Sequence, residues 1–231
     1  MSYGLTIFNS GGFVQIDDTY ENTVLVASGS ASASASNIWI NPVRVNFTAV
    51  TGTPILCIKF NSSSAYCCVI DITSSYFEFA LLSGADLSNG VSGTIQWRIY
   101  AKKPSSISVS GYGLVVRNAV GAPVFSSNET YPRIAAVLNC CPFVPNASNK
   151  AVSTINYGVS LSAPFLTIPG TLLHYINNQD GNLEFNYFCF RTNGLGVVQT
   201  AAFSNVTFNL NYYALATTRS FYYLPQGVLY S

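Results

Sequence analysis

Tyr3-Gly4-Leu5-Thr6-Ile7-Phe8-Asn9-Ser10-Gly11-Gly12 opens the chain, and its pattern returns as Tyr112-Gly113-Leu114-Val115-Val116-Arg117-Asn118-Ala119-Val120-Gly121. A Tyr-Gly-Leu start, a β-branched pair, an Asn and a closing Gly recur at the same internal spacing. Weaker echoes follow. Thr19-Tyr20 is answered by Thr130-Tyr131, Val24-Leu25 by Val137-Leu138, Phe77-Glu78-Phe79 by Leu183-Glu184-Phe185, and Tyr100-Ala101 by Tyr213-Ala214. Self-similarity of this kind marks an internal duplication. It divides the 231 residues into a first repeat at 1–105, a second at 106–217 and a tail at 218–231. Each repeat is long enough to bury a core of its own.

Outward from the motif, both repeats read as β-structure. Asn9-Ser10-Gly11-Gly12 supplies hairpin turn residues between residues 5–8 and 13–16. Strands are expected at 24–26, 43–47, 55–60, 66–72, 76–82 and 94–101, the last with Ile95, Trp97, Ile99 and Ala101 on one face. In the second repeat they are expected at 114–117, 124–125, 154–160, 165–168, 172–176, 183–191 and 206–214. Turn signals arrive roughly every ten residues, and no capped helical period is sustained. The expected fold is all-β: two tandem, internally duplicated antiparallel β-sandwich domains of jelly-roll type. Lys102-Lys103-Pro104-Ser105-Ser106 is the expected linker. The Ser-Ala alternation at 28–36 is expected to be a loop, the alternative being a flat strand of small side chains. The Pro- and Asn-rich stretch 141–149 occupies the matching place in the second repeat, which suggests one shared variable loop.

Charge is scarce. Only 8% of residues are Asp, Glu, Lys or Arg, where a soluble domain carries roughly 25%. A net charge of +1 gives little self-repulsion, so much of the surface is expected to be covered by partners. Lys102-Lys103 is the only adjacent basic pair, which argues against nucleic-acid binding. The charge-poor run 192–218 is interrupted by Asn, Gln, Gly and Ser and alternates like strand sequence, which argues against a membrane helix. Met-Ser-Tyr-Gly shows neither the basic nor the apolar region of a secretory leader, so folding in a cytosol is expected. The six cysteines, Cys57, Cys67, Cys68, Cys140, Cys141 and Cys189, are then expected as buried free thiols.

No constellation announces a reaction. Asp17-Asp18 reads as a turn, and Glu78 and Glu184 as outward strand positions rather than paired cleft carboxylates. His174 is the only histidine and no Gly-x-Ser-x-Gly elbow exists. No Cys/His cluster has zinc spacing, and the glycine turns lack the strand-to-helix context of a phosphate loop. No catalytic residue, cofactor or metal is expected. The aromatics are the remaining lead: 15 Tyr, 15 Phe and 2 Trp exceed the needs of two small cores. Such residues favour subunit interfaces and also stack on sugars. Phe221, Tyr222, Tyr223, Leu224 and Tyr230 in the tail are the candidate inter-subunit contacts, either folded over their own domain or docked on a neighbour.

The motif Tyr3-Gly4-Leu5-x-Ile7-x-Asn9-x-x-Gly12, with its return through Val14 to Asp18 and its copy at 112–121, resembles the start of small minor tail proteins of long-tailed bacteriophages. The resemblance covers about twenty residues in each repeat, and the duplication departs from the family's single-unit form. It implies a virion structural subunit of the tail tip, baseplate or fibre region, folded in the bacterial cytoplasm, with other tail proteins and further copies of itself as partners. A trimer is the expected assembly. A carbohydrate-binding adhesin for host surface glycans and a capsid or tail decoration protein are the alternatives.

Overall fold

The computed structural model describes residues 7–8, 14–16, 23–35, 41–83, 90–102, 112–132, 134–139, 150–156, 165–167, 173–177, 183–192, 197–203 and 226–230. Every regular element among them is a strand. The first half contributes β1 (Ile7–Phe8), β2 (Val14–Ile16), β3 (Val24–Ala35), β4 (Val43–Asn46), β5 (Thr51–Lys59), β6 (Ala65–Ile72), β7 (Tyr76–Ser83) and β8 (Val91–Lys102). The second contributes β9 (Val115–Arg117), β10 (Pro123–Ser126), β11 (Ile134–Asn139), β12 (Lys150–Asn156), β13 (Phe165–Thr167), β14 (Leu173–Asn177), β15 (Leu183–Thr192), β16 (Val197–Phe203) and β17 (Gln226–Tyr230). The protein is all-β, and its strands assemble into several antiparallel sheets.

Both copies of the opening motif become hairpins with one register. Ile7↔Ile16 and Phe8↔Val14 in β1–β2 reappear as Val116↔Phe125 and Arg117↔Pro123 in β9–β10, each residue 109 positions on. Both ladders slip at the same step. In the second copy Asn118 Oδ1 accepts from the amides of Val120 and Ala122, the self-bonding that suits Asn to turns. The Tyr131 hydroxyl accepts from the Ser126 amide and donates to its carbonyl, and its ring stacks on Phe125 at 4.8 Å.

Two larger sheets form a sandwich. One has the order β11-β17-β13-β5-β8-β3; the other runs β12-β16-β15-β6-β7-β4, with β14 also on β15. Their facing sides bury Leu56, Ile58, Cys67, Phe77, Phe79, Leu81, Ile95, Trp97, Ile99 and Phe190. The face expected on β8 is the face that is buried: Ile95, Trp97, Ile99 and Ala101 are all hidden. Trp97 meets Phe77 edge-on, 5.5 Å between centroids. Alternate burial of apolar side chains is what fixes strand register, because a one-residue slip would turn the whole set to water.

The pairing does not follow the boundary expected at residue 105. Cys189 and Phe190 of β15 lie opposite Cys68 and Cys67 of β6, and Leu166 of β13 lies opposite Ile58 of β5. Thr192 reinforces the seam, its amide and hydroxyl both donating to the Phe60 carbonyl at 2.8 and 3.1 Å. The Leu25 amide donates to the Thr130 carbonyl at 2.8 Å. Strands of both halves therefore share each large sheet, where two separately closed sandwiches were expected. The two hairpins share a register, and beyond them strands of the two halves pair with each other.

Three local expectations change. Residues 28–35 are strand, not loop: β3 continues unbroken on β8 from Ala27↔Ile99 to Ala35↔Val91. Ser and Ala suit linkers by composition, but here they alternate, with Ser28, Ser30, Ser32 and Ser34 exposed and Ala33 buried. β5 starts before Pro54, because a register shift between Thr51 and Ile55, with Gly52 at φ 79°, absorbs the proline. β11 and β16 are strands in stretches not singled out as such. The linker at 103–106 and the stretch 141–149 lie outside the described residues, as does the strand expected at 206–214.

Candidate functional site

The tail residues Phe221, Tyr222, Tyr223 and Leu224 lie outside the described residues. Tyr230 belongs to β17, an inner strand of its own sheet, opposite Ile134 of β11 and Phe165 of β13. Its backbone is thus held on both sides within the chain.

Three surfaces remain. The first is a shallow depression of about 340 Å³ on the outer side of the six-stranded sheet, lined by Ser28, Gly29, Ser30, Gln96, Trp97, Arg98 and Phe165. Arg98 projects from β8 on the face opposite Trp97, and its guanidinium lies 4.1 Å over the Phe165 ring. Beneath it Cys57, Tyr100 and Phe165 form a second buried cluster with Leu25 and Ile55. The lining offers hydroxyls, one amide and one guanidinium, but no carboxylate or imidazole. Phe165 is 9% exposed, so a sugar finds no open aromatic face there.

The second surface is polar and self-contained. On the outer side of the β4–β7 edge, Arg44 Nε and Nη2 donate to Glu78 Oε1 at 2.9 and 2.7 Å, and the guanidinium lies 4.1 Å over Tyr76. The hydrogen bond to Glu78 pushes the Arg44 pKa up. Tyr76 donates to Asp71 Oδ2 at 3.1 Å, and that bond raises the phenol. Glu78 faces outward between buried Phe77 and Phe79, as the strand pattern predicts. Arg44 and Glu78 neutralise each other and Asp71 accepts from Tyr76, which places charge along the outer side of this sheet edge.

The third surface is the opposite in character. β3 ends the six-stranded sheet and carries no charged residue over its 12 positions. Among the described residues it pairs on one side only, with β8, apart from the bond from Leu25 to Thr130. Elsewhere, in the second hairpin region, Tyr112, Leu114 and Val120 are exposed at 104%, 46% and 86%. Among the described residues the long β3 edge of small side chains is open to main-chain pairing.

Glu184 and His174 fall in β15 and β14, opposite Ile176 and Asn186. Asp17 and Asp18 lie outside the described residues. Among the described residues no three His, Cys, Asp or Glu side chains are grouped to hold a metal, and no helix is long and apolar enough to cross a membrane. The four described cysteines are buried free thiols. Sequence reading singles out residues 28–36 but favours a loop, because serine-alanine composition resembles a linker; the structure makes 28–35 part of β3, which among the described residues ends its sheet. Sequence reading missed Arg98 on Phe165, two residues far apart in the chain with no local signal. Comparison with protein-family models, with curated proteins and with solved structures finds no match in any of the three.

Proposed function

We propose that this protein is a non-enzymatic structural subunit of a long-tailed phage virion, built into the tail tip, baseplate or fibre region through uncharged β surfaces. The observation that carries the proposal is β3, a 12-residue edge strand of Ser, Ala, Gly and three apolar residues with no charge, proline or cover among the described residues. Soluble monomers blunt such edges with lysine, proline or short strands. A subunit that meets a partner there has no need to. The duplicated hairpin motif, in identical register in both halves, supports the tail-protein resemblance. The partners are further copies, as a trimer, and other tail proteins; the location is the virion tail, after folding in the host cytoplasm. Tandem jelly-roll ancestry belongs to the same proposal, with the sheets merged across the seam.

The glycan-binding alternative requires an open aromatic platform, and the depression on the β3–β8 face has its ring capped by Arg98. Density-gradient sedimentation of a native lysate, with this chain detected across the fractions, tests the assignment. A few copies travelling with intact tailed particles is the expected result. Hundreds of copies per particle would make it a decoration protein, and a chain left at the top of the gradient would sink the virion assignment.

A further inference from the structure

In the seam between the halves two buried thiols stand opposite each other. In the antiparallel pairing of β6 with β15, Cys189 stands directly opposite Cys68. Residues directly opposite in such a ladder share a face and hold their Cα atoms about 4.5–5.5 Å apart. Disulfides form across Cα separations of about 4.4–6.8 Å. The adjoining pair, Cys67 and Phe190, points into the core, so Cys68 and Cys189 turn together to the other face. There they are 1% and 0% exposed, and Cys68 Sγ donates to the Val69 carbonyl at 3.8 Å. Cys57 lies elsewhere, beside Tyr100 and Phe165.

We propose that Cys68 and Cys189 are a latent disulfide, a dithiol in the reduced chain and a staple between its two halves after exchange with a small-molecule disulfide. One cysteine, as thiolate, attacks the small disulfide and expels one small thiol. The second thiolate then attacks the mixed disulfide and expels the other. Two cysteine thiols and one small disulfide become one cystine and two small thiols, so protons and electrons balance. Burial pushes the Cys189 thiol well above its ordinary value, which keeps the thiolate scarce and the closed seam slow to react. Opening of β15 from β6 sets the rate. The ring so closed encloses more than half of the chain, the geometry in which a cross-link restricts the unfolded state most.

The experiment uses the full-length protein, purified under reductant and incubated with oxidised glutathione, in buffer and in urea below the unfolding midpoint. Remaining thiols are alkylated and peptides mapped by mass spectrometry. The expected product is a Cys68–Cys189 cross-linked peptide, retained in Cys67→Ser and lost in Cys189→Ser. The oxidised protein is expected to melt about 5–15 °C above the reduced one. Six alkylated thiols under both conditions, a stable glutathione adduct, or a bond to Cys57, Cys67, Cys140 or Cys141 would overturn the pairing. A cross-linked form melting at or below the reduced protein would overturn the staple. Mapping of the unmutated chain decides the matter even where a variant fails to fold.

Discussion

Gly29 lies opposite Trp97, and a β-carbon there would stand 2.8 Å from Cζ2 of the indole and 3.0 Å from Cε2. The neighbour is a rigid ring packed edge-on against Phe77, so relieving the clash means moving the indole or the strand. Gly29→Ala is therefore expected to destabilise the protein by about 1–3 kcal/mol, read as a lower urea midpoint with unchanged m-value. The buried thiols set a second residue-scale prediction. Burial raises Cys67 and Cys189 well above the ordinary 9.0. The native state then keeps protons that the unfolded chain gives up, so the stability they contribute is full below about pH 9 and falls above it. Each such thiol gives a slope of about 1.4 kcal/mol per pH unit. Melting temperature under reductant is expected to stay level from pH 7 to the upper 8s and fall beyond. In Cys67→Ala the fall should be shallower; an equal slope would show that the thiol carries none of it.

β3 shows how an element can contradict its composition. Its serines and alanines have weak strand preference, yet Ala27, Ala31 and Ala33 pack against the core between the sheets while Ser28, Ser30, Ser32 and Ser34 are exposed. Ser32 and Thr94, directly across from each other, share a hydrogen bond of 2.8 Å. Small size on one face lets β3 pack close against β7 of the facing sheet. The exposed face and free edge are another matter, since nothing among the described residues covers them. Ser34→Lys, on that exposed face, is expected to change stability by less than about 0.5 kcal/mol. A lysine at an edge opposes strand addition, so the same variant is expected to lose at least tenfold in incorporation into tailed particles, measured by gradient fractionation against unmutated protein. Normal incorporation would remove β3 from the assembly surface.

At the scale of the molecule, Phe190 decides how the halves are related. It is 1% exposed and belongs to the core built otherwise from first-half residues such as Phe77, Phe79, Ile95 and Trp97. Phe190→Ala is expected to cost about 3–5 kcal/mol. Its damage should reach across the seam: faster hydrogen exchange in β6 and β7, more than a hundred residues earlier in the chain. Shared sheets also imply shared cooperativity, so reduced full-length protein is expected to unfold in one transition. A fragment of residues 1–105, lacking the strands that complete both sheets, should show no cooperative melt of its own. Two separate calorimetric transitions would restore the picture of two independent sandwiches.

By itself the sequence determined the β class, the inward face of β8, and the twin hairpins, because each rests on short-range pattern: alternation of period two and turn residues at fixed spacing. It also determined that Glu78 faces out and that Cys67 and Cys68 take opposite sides of one strand. Only the tertiary structure decided that Ser28 to Ala35 is a strand, since the reason lies in Trp97 and Thr94 on a neighbouring strand. Likewise only the fold set β13, β15 and β17 into sheets with the first half. Which edge meets which is a matter of long-range shape and burial, and nothing in the local pattern of Cys68 or Phe190 names its partner.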